Sequence, residues 1–189
     1  MSPTPRKLEI ITAASTLFKE KGYSAVTMRD IAKALGIKAA SLYNHIKNKE
    51  EILTFIIISL AEEFIKGIAL IKNRDSSSVE KLKQIITLHV EIASNNTNGM
   101  ASLNNDWMHL KDELDHYLNL RVDYEDSFRE IIKEGIEKNE FKNLNPDIML
   151  FSVLSTLRSL YIWIPLKEDM DPSVLASNLS EVLLKGINK

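Results

Sequence analysis

The chain of 189 residues contains no cysteine. That one absence removes a disulfide framework, thiolate catalysis, zinc fingers and cluster ligation, and it gives no sign of an oxidising compartment. Glycine and proline are scarce, at 6 and 5, so little in the chain breaks helices. Strand-like alternation of useful length is missing too. The longest apolar stretch, Leu53 to Ala61, carries Thr54 and Ser59 and runs into Glu62 and Glu63. It falls far short of the roughly 20 residues of a membrane span, so a buried helix and no membrane partner are expected. Arg6 and Lys7 are followed by Glu9 rather than by a long apolar run, which predicts no signal peptide and a cytoplasmic protein. There is no glycine-rich phosphate loop and no nucleophile beside its base, so neither catalysis nor a cofactor is expected.

What is present is an ordinary soluble composition, 44% hydrophobic and 26% charged. At this length about 70% of the unfolded chain's surface can be buried without staples. The net charge of -2 conceals an asymmetry: residues 1–52 hold nine Lys/Arg against five Asp/Glu, and residues 53–189 hold fifteen against twenty-one. A small basic module followed by a larger acidic one suggests that the first part meets a polyanion.

The periodicity predicts an all-α protein of about nine helices, three of them short and N-terminal. Ile10, Ile11, Ala14, Leu17 and Phe18 make one helix face, which Gly22 ends. Thr27, with Asp30 three residues on, caps a second helix whose inner face is Met28, Ile31, Ala32 and Leu35. Past the Gly36-Ile37 turn, Ala39, Leu42, Tyr43 and Ile46 share a side of a third helix, and Asn48 with Glu51 opens a fourth that reaches about Asn73. Ser77 with Glu80 opens another, to about Ser94, followed by a turn-rich linker at residues 95–99. Helical stretches are then predicted at about 100–110, 112–139, 146–164 and 172–187, the last two opened by Asn145-Pro146 and Asp171-Pro172.

Two short helices joined by a turn and steadied by a preceding helix describe a helix-turn-helix, whose second helix can lie in the major groove. Here that helix is Lys38 to Asn44. Its outer face offers Lys38, Ala40, Ser41 and Asn44, which can approach base edges, while Thr27, Arg29, Tyr43, His45, Lys47 and Lys49 surround it with phosphate-type donors. A tyrosine at helical spacing also suits a core position, and Lys47 and Lys49 also suit a solvated surface.

The combination Gly22-Tyr23, Thr27-x-Arg29-Asp30-Ile31-Ala32, Leu35-Gly36-Ile37 and Ser41-Leu42-Tyr43-x-His45-Ile46-Lys47-Asn48-Lys49-Glu50-Glu51-Ile52-Leu53 resembles the TetR/AcrR family of bacterial transcriptional regulators. The resemblance covers about residues 6–53. It implies an all-helical homodimer with a helix-turn-helix DNA-binding domain, here residues 1–48, and an effector-binding and dimerisation domain, here residues 49–189. It also implies double-stranded operator DNA as partner and a small-molecule effector. By position, Thr27, Tyr43, His45 and Lys49 match phosphate-contacting places, and Arg29, Ala39, Ala40, Ser41 and Asn44 match places at or near bases. Lys38 and Ala39 depart from the commoner polar residues there, which leaves a poorer helix cap and shifts readout toward Arg29, Ser41, Asn44 and contact of Ala39 or Ala40 with thymine methyls.

Beyond residue 53 the pattern stands on its own. Residues 146–164 are apolar nearly all round. Ser152, Ser155 and Ser159, and again Ser173, Ser177 and Ser180, form narrow stripes expected to line a two-fold four-helix interface, with plain solvent exposure as the alternative. Met100, Leu103, Trp107, Met108, Phe128 and Trp163 are candidates for apolar walls of an effector cavity, and His89, His109, Arg121, Tyr124 and Arg158 for groups that orient a polar head. The segment from Asn105 to Arg129 is similar to family members whose effectors are acyl-CoA esters or other lipid-derived acids. Arg158, a single charge in an apolar helix, suits an effector anion, an acid across the dimer, or snorkelling to water. Asp106-x-x-His109 and Glu113-x-x-His116 resemble the ligand pairs of di-metal bundles, but they sit too close together on the chain, so no metal is expected. The reading is a one-component repressor released from a palindromic operator by its effector, and a helix fourth in the chain is its expected lever. The alternatives are a DNA-binding protein without a small effector and a metal-dependent bundle enzyme.

Overall fold

The computed structural model describes residues 3–167 and 170–185. Ten α-helical segments and no strand occur among these residues: α1 (Pro5–Lys21), α2 (Met28–Ala34), α3 (Ala39–Leu42), α4 (Lys49–Lys72), α5 (Ser78–Asn95), α6 (Thr97–Asn105), α7 (Leu114–Glu137), α8 (Pro146–Arg158), α9 (Leu160–Trp163) and α10 (Pro172–Lys185). Because α9 continues α8 past Ser159, the helices number nine when the two are taken as one, as the periodicity predicts. The predicted end of the last helix, at 187, lies outside the described residues.

Two compact units divide the chain, Met1–Ala61 with Asn98–Leu118, and Glu62–Thr97 with Asn119–Lys189. This division differs from the expected boundary at residue 48: α6 and the turns after it belong with the helix-turn-helix. Both α4 and α7 run from one unit into the other, so α4 is not the sole continuous element between them.

In the first unit, Thr4 accepts from Lys7 N–H and Pro5 fills the first helical position, which starts α1. Ile10, Ile11, Ala14 and Phe18 are buried from it, and Gly22, at φ 81°, stops it in a conformation other residues resist. Ile31, Ala32, Leu42, Ile46, Ile52 and Leu53 complete this small core. Each large side chain contributes about 1.5–3 kcal/mol when fully buried, which is how helices of seven and four residues persist here.

In the second unit, α5 is central, touching α8, α9 and α10, and it buries Leu82, Ile85, Ile86, His89, Val90, Ile92 and Ala93. The expected linker at 95–99 is corrected to a one-residue break. Asn96 leaves helical angles, but the Thr97 hydroxyl donates to Ala93 O at 3.0 Å, and the next helix begins at once with Gly99 buried. The stretches predicted as 100–110 and 112–139 end and begin instead in two 3-10 turns, Trp107–His109 and Lys111–Glu113. Pro146–Leu166, 21 residues with a mean hydropathy of 1.5, is long and apolar enough to cross a membrane by length and composition, although only a third of it is buried. Ser152, Ser155, Thr156, Arg158 and Ser159 interrupt it, so no unbroken apolar run marks it in the sequence.

Candidate nucleic-acid interface

The helix-turn-helix is built by three local devices. Thr27 and Asp30 form a reciprocal capping box, with Thr27 N–H donating to Asp30 Oδ2 at 2.8 Å and Asp30 N–H to Thr27 Oγ1 at 3.2 Å. Hydrogen bonds donated to it by the Thr27 hydroxyl and the Thr27 N–H hold the Asp30 carboxyl below its ordinary range. At the other end of α2, Gly36 N–H donates to Lys33 O and Ile37 N–H to Ala32 O, at 3.1 and 3.0 Å, with Gly36 at φ 66°. This paired closure turns the chain sharply into α3, and a side chain at Gly36 would strain it. The third device is Glu51. Its carboxylate accepts from Lys7 Nζ at 2.6 Å and from Lys47 N–H at 2.7 Å, while its own N–H donates to Asn48 Oδ1. Burial raises the Glu51 pKa, but the hydrogen bonds from Lys7 and Lys47 outweigh it and hold the carboxyl low.

On this scaffold α3 and the turn after it bury Leu42 and Ile46 and expose Ala40, Ser41, Asn44 and His45. Tyr43 is 55% exposed and therefore not core. Thr27, Arg29 and Lys38 are exposed, and Ala39 is half-buried. Lys38 stands at the N-cap without a side-chain cap hydrogen bond, in keeping with the poorer cap expected there. Of the exposed residues, Thr27 caps α2 and Arg29 lies on it, and the others lie in or beside α3.

Lys49 is engaged within its own unit. Its Nζ donates inward to Tyr23 O at 2.6 Å and Val26 O at 2.8 Å, and it lies 4.2 Å from the centroid of the Tyr23 ring. Burial lowers its pKa. Tyr23 also stacks against His109, with centroids 5.1 Å apart and planes at 30°. Asp106, whose carboxyl burial pushes up, accepts from the Tyr23 backbone, and Lys111 Nζ donates to Glu50 at 2.6 Å. Lys111 itself has φ 42°, an uncommon conformation for a side-chain-bearing residue. The 3-10 turns after α6 are thus clasped to the turn that precedes α2, a connection no spacing in the sequence signals.

The effector candidates fall in both units. In the first, Met100 is buried, Leu103 and Trp107 are half-buried, and Met108 is 58% exposed rather than a cavity wall. In the second, His89, Tyr124 and Phe128 come together in the core, with His89 Nε2 2.7 Å from the Tyr124 hydroxyl. Burial, helped by Arg158, pushes the His89 imidazole down to about 3, and burial pushes the Tyr124 phenol up. Arg158 pairs with Glu125 of its own chain at 2.6 Å, and Arg121 shares the same carboxylate at 3.2 Å. None of the three expected roles of Arg158 foresaw that partner. Trp163 is exposed, with Lys167 Nζ 5.7 Å from its ring centroid. Among the described residues no group of three or more His, Asp or Glu comes together as a metal site, so the Asp106/His109 and Glu113/His116 pairs gain no third ligand.

The two serine stripes separate. Ser152, Ser155 and Ser159 lie exposed among Ile148, Phe151, Ile162 and Leu166, which are exposed as well, so α8 and α9 carry one continuous apolar strip with a narrow serine floor. In α10, by contrast, Ser180 is buried, and Ser173, Ser177 and Ser180 line a cavity of about 690 Å³ against Val79, Lys83 and Thr87 of α5. Ser173 and Ser177 are exposed, so of this stripe only Ser180 is buried where α10 packs along α5.

Comparison with known proteins agrees with this architecture. Residues 75–187 match the family model described as the tetracyclin repressor-like C-terminal domain, and residues 10–54 match that of the bacterial regulatory proteins, tetR family. The chain is 24% identical over 190 residues to the fatty acid metabolism regulator protein of Bacillus subtilis (strain 168), covering 97% of this chain and 96% of that protein. It is 43% identical over 81 residues to IcaR of Staphylococcus epidermidis, the negative transcriptional regulator of the biofilm operon icaADBC, covering 42% of this chain and 43% of that one. Among solved structures, the ketosteroid transcriptional regulator KstR2 of Mycobacterium tuberculosis superposes with a TM-score of 0.92 at 20% identity, covering 100% of this chain and 97% of that one. The TetR family transcriptional regulator PfmR of Thermus thermophilus gives 0.82 at 25% identity, covering 93% and 97%. With both of its halves matched and its helix-turn-helix built as described, the chain belongs to the TetR family of bacterial transcriptional regulators.

Proposed function

We propose that this chain is a cytoplasmic, homodimeric transcriptional repressor that binds a palindromic operator through α3 and is released by a small hydrophobic or acyl-CoA-like effector. The observation that carries the reading is the outward face of α3. Ala40, Ser41 and Asn44 stand free at the groove-facing surface, and Tyr43 and His45 stand beside them as donors to phosphate. Arg29 and Ala39 complete the base-facing set, and Thr27, Lys38 and Lys49 the flanks. Phosphate contacts fix position, and base contacts give sequence preference.

Pairing is supported by the exposed strip on α8 and α9, where Phe151 is 71% exposed beside Ser152 and Ser155. Large apolar groups flanking small ones let two helices approach closely, and such an exposed patch on a soluble chain marks a protein contact. The same pairing accounts for the apolar length of Pro146–Leu166 without a membrane. Relatives named for fatty acid metabolism and for ketosteroids support a lipid-derived effector. The candidate groups for holding it, all in the second unit, are His89, Arg121, Tyr124, Phe128 and Arg158.

Binding-site selection from random duplexes with the purified chain tests the reading. It should return a two-fold symmetric sequence with half-sites about one helical turn apart, and addition of palmitoyl-CoA or a free fatty acid should weaken the complex. Recovery of sequences without symmetry counts against it.

A further inference from the structure

Inside the second unit lies a polar pair in an apolar setting. His89 on α5 and Tyr124 on α7 are both buried, and Nε2 and the phenol oxygen are 2.7 Å apart. Phe64 of α4 packs 4.6 Å from the imidazole centroid and 5.7 Å from the phenol, and Phe128 packs 6.4 Å from the phenol. The other ring nitrogen, Nδ1 of His89, is fully enclosed and has no hydrogen-bond partner. A core built for packing alone has no use for this arrangement, since an unpaired buried polar atom costs stability that a leucine or phenylalanine of similar volume would not.

The chemistry of the open nitrogen follows from its neighbours. Burial beside the Arg158 guanidinium keeps the imidazole neutral, so it carries one N–H and one lone pair. A phenol is the stronger donor of the two partners, and by donating to Nε2 it leaves the hydrogen on Nδ1. The orphan is then a donor, and it lacks an acceptor. Arg158 and Arg121 sit on one carboxylate, Glu125, next in sequence to Tyr124, and both are part-exposed. A cluster of charged groups on α7 and α8 thus stands at the part-exposed side of this unit, and the buried N–H is walled by aromatic rings.

We propose that His89 and Tyr124 are the carbonyl-recognition subsite of the effector site: His89 Nδ1–H donates to a carbonyl oxygen of a lipid-derived molecule whose apolar body lies against Phe64 and Phe128. Tyr124 acts through His89 as a positioning residue, fixing the tautomer. The proposal rests on the reading of the chain as an effector-responsive repressor. Thioester, free acid and ring ketone share the required oxygen, and the experiment separates them.

The test uses the full chain with palmitoyl-CoA, palmitic acid and progesterone as probes and hexadecanol, which lacks the carbonyl, as the control. At least one carbonyl probe should bind the wild type tenfold or more tighter than hexadecanol. His89→Phe should abolish that preference while keeping hexadecanol affinity, His89→Asn, which retains an N–H donor, should restore part of it, and Tyr124→Phe should reduce it. The ¹⁵N shift of His89 Nδ1 should move with the preferred probe and stay put with hexadecanol. Should His89→Phe fail to fold, the His89→Asn and Tyr124→Phe affinities and the wild-type shift decide the matter. If no carbonyl probe binds the wild type, the lipid-effector reading and this subsite fall together. If a probe binds with the same preference in every variant, or leaves the Nδ1 shift unmoved, the subsite alone falls.

Discussion

At the scale of single residues, His89 and Lys49 show how position changes the meaning of a side chain. The unfolded chain takes up a proton on His89 below its ordinary pKa of 6.5, whereas the folded chain does so only near pH 3. Its contribution is therefore complete above pH 6.5 and is lost as pH falls toward 3. Melting temperature measured from pH 7 to pH 4 should drop less steeply for His89→Asn than for the wild type, and parallel curves would contradict the burial of a neutral ring. Lys49 was legible from the motif as a cation at the right place, but its partners, the Tyr23 and Val26 carbonyls, lie more than 20 residues away in sequence. Hydrogen bonds from a charged donor are worth about 1.5–3 kcal/mol, so Lys49→Ala should lower the stability of the first unit in denaturant melts by up to that amount. Loss of operator affinity with unchanged stability would instead make Lys49 a phosphate contact alone. Tyr43 is the reverse case: sequence left it between core and surface, and its exposure places it on the surface.

Secondary elements were the most legible level, because their signals are local. The Thr27/Asp30 box, the Gly22 and Gly36 stops and the Asn145-Pro146 start all depend on residues within a few positions of one another, and each appears with the expected geometry. Replacing Thr27 by Ala removes one half of the box and should cost about 1 kcal/mol, read as a lower denaturation midpoint. Asn95, Asn96 and Gly99 read locally as a turn, which makes the break after α5 too long. At residues 97–105 the buried Gly99, Met100 and Ala101 override that local preference. The serine stripes needed a neighbour to interpret them. Sequence could not show that α10 lays Ser180 against α5 while α8 leaves Ser155 in the open. Ser155→Arg should therefore yield helical monomers by sedimentation, whereas Ser180→Arg should disturb folding before association. A dimer mass unchanged by Ser155→Arg would move the interface elsewhere.

For the whole molecule, charge asymmetry and motif identified a DNA-binding head on a larger acidic body, and the matched families agree. Its division was not legible. The first unit includes residues 98–118, fastened to Tyr23 and Glu50 by Asp106, His109 and Lys111. Periodicity reports which face of a helix is buried but not which remote segment covers it, so it points to α4 alone as a lever. Tyr23 and His109 stack on each other within the first unit, so a double exchange there should alter operator affinity non-additively. The most direct test of the account is the affinity for the selected palindrome beside that for a scrambled duplex of equal length, in wild type and Asn44→Ala, across a range of salt. The account predicts that the wild type prefers the palindrome by about a thousandfold or more, that both affinities fall steeply with salt, and that Asn44→Ala erodes the preference while leaving the salt slope unchanged. Equal binding of palindrome and scrambled duplex by the wild type would contradict it.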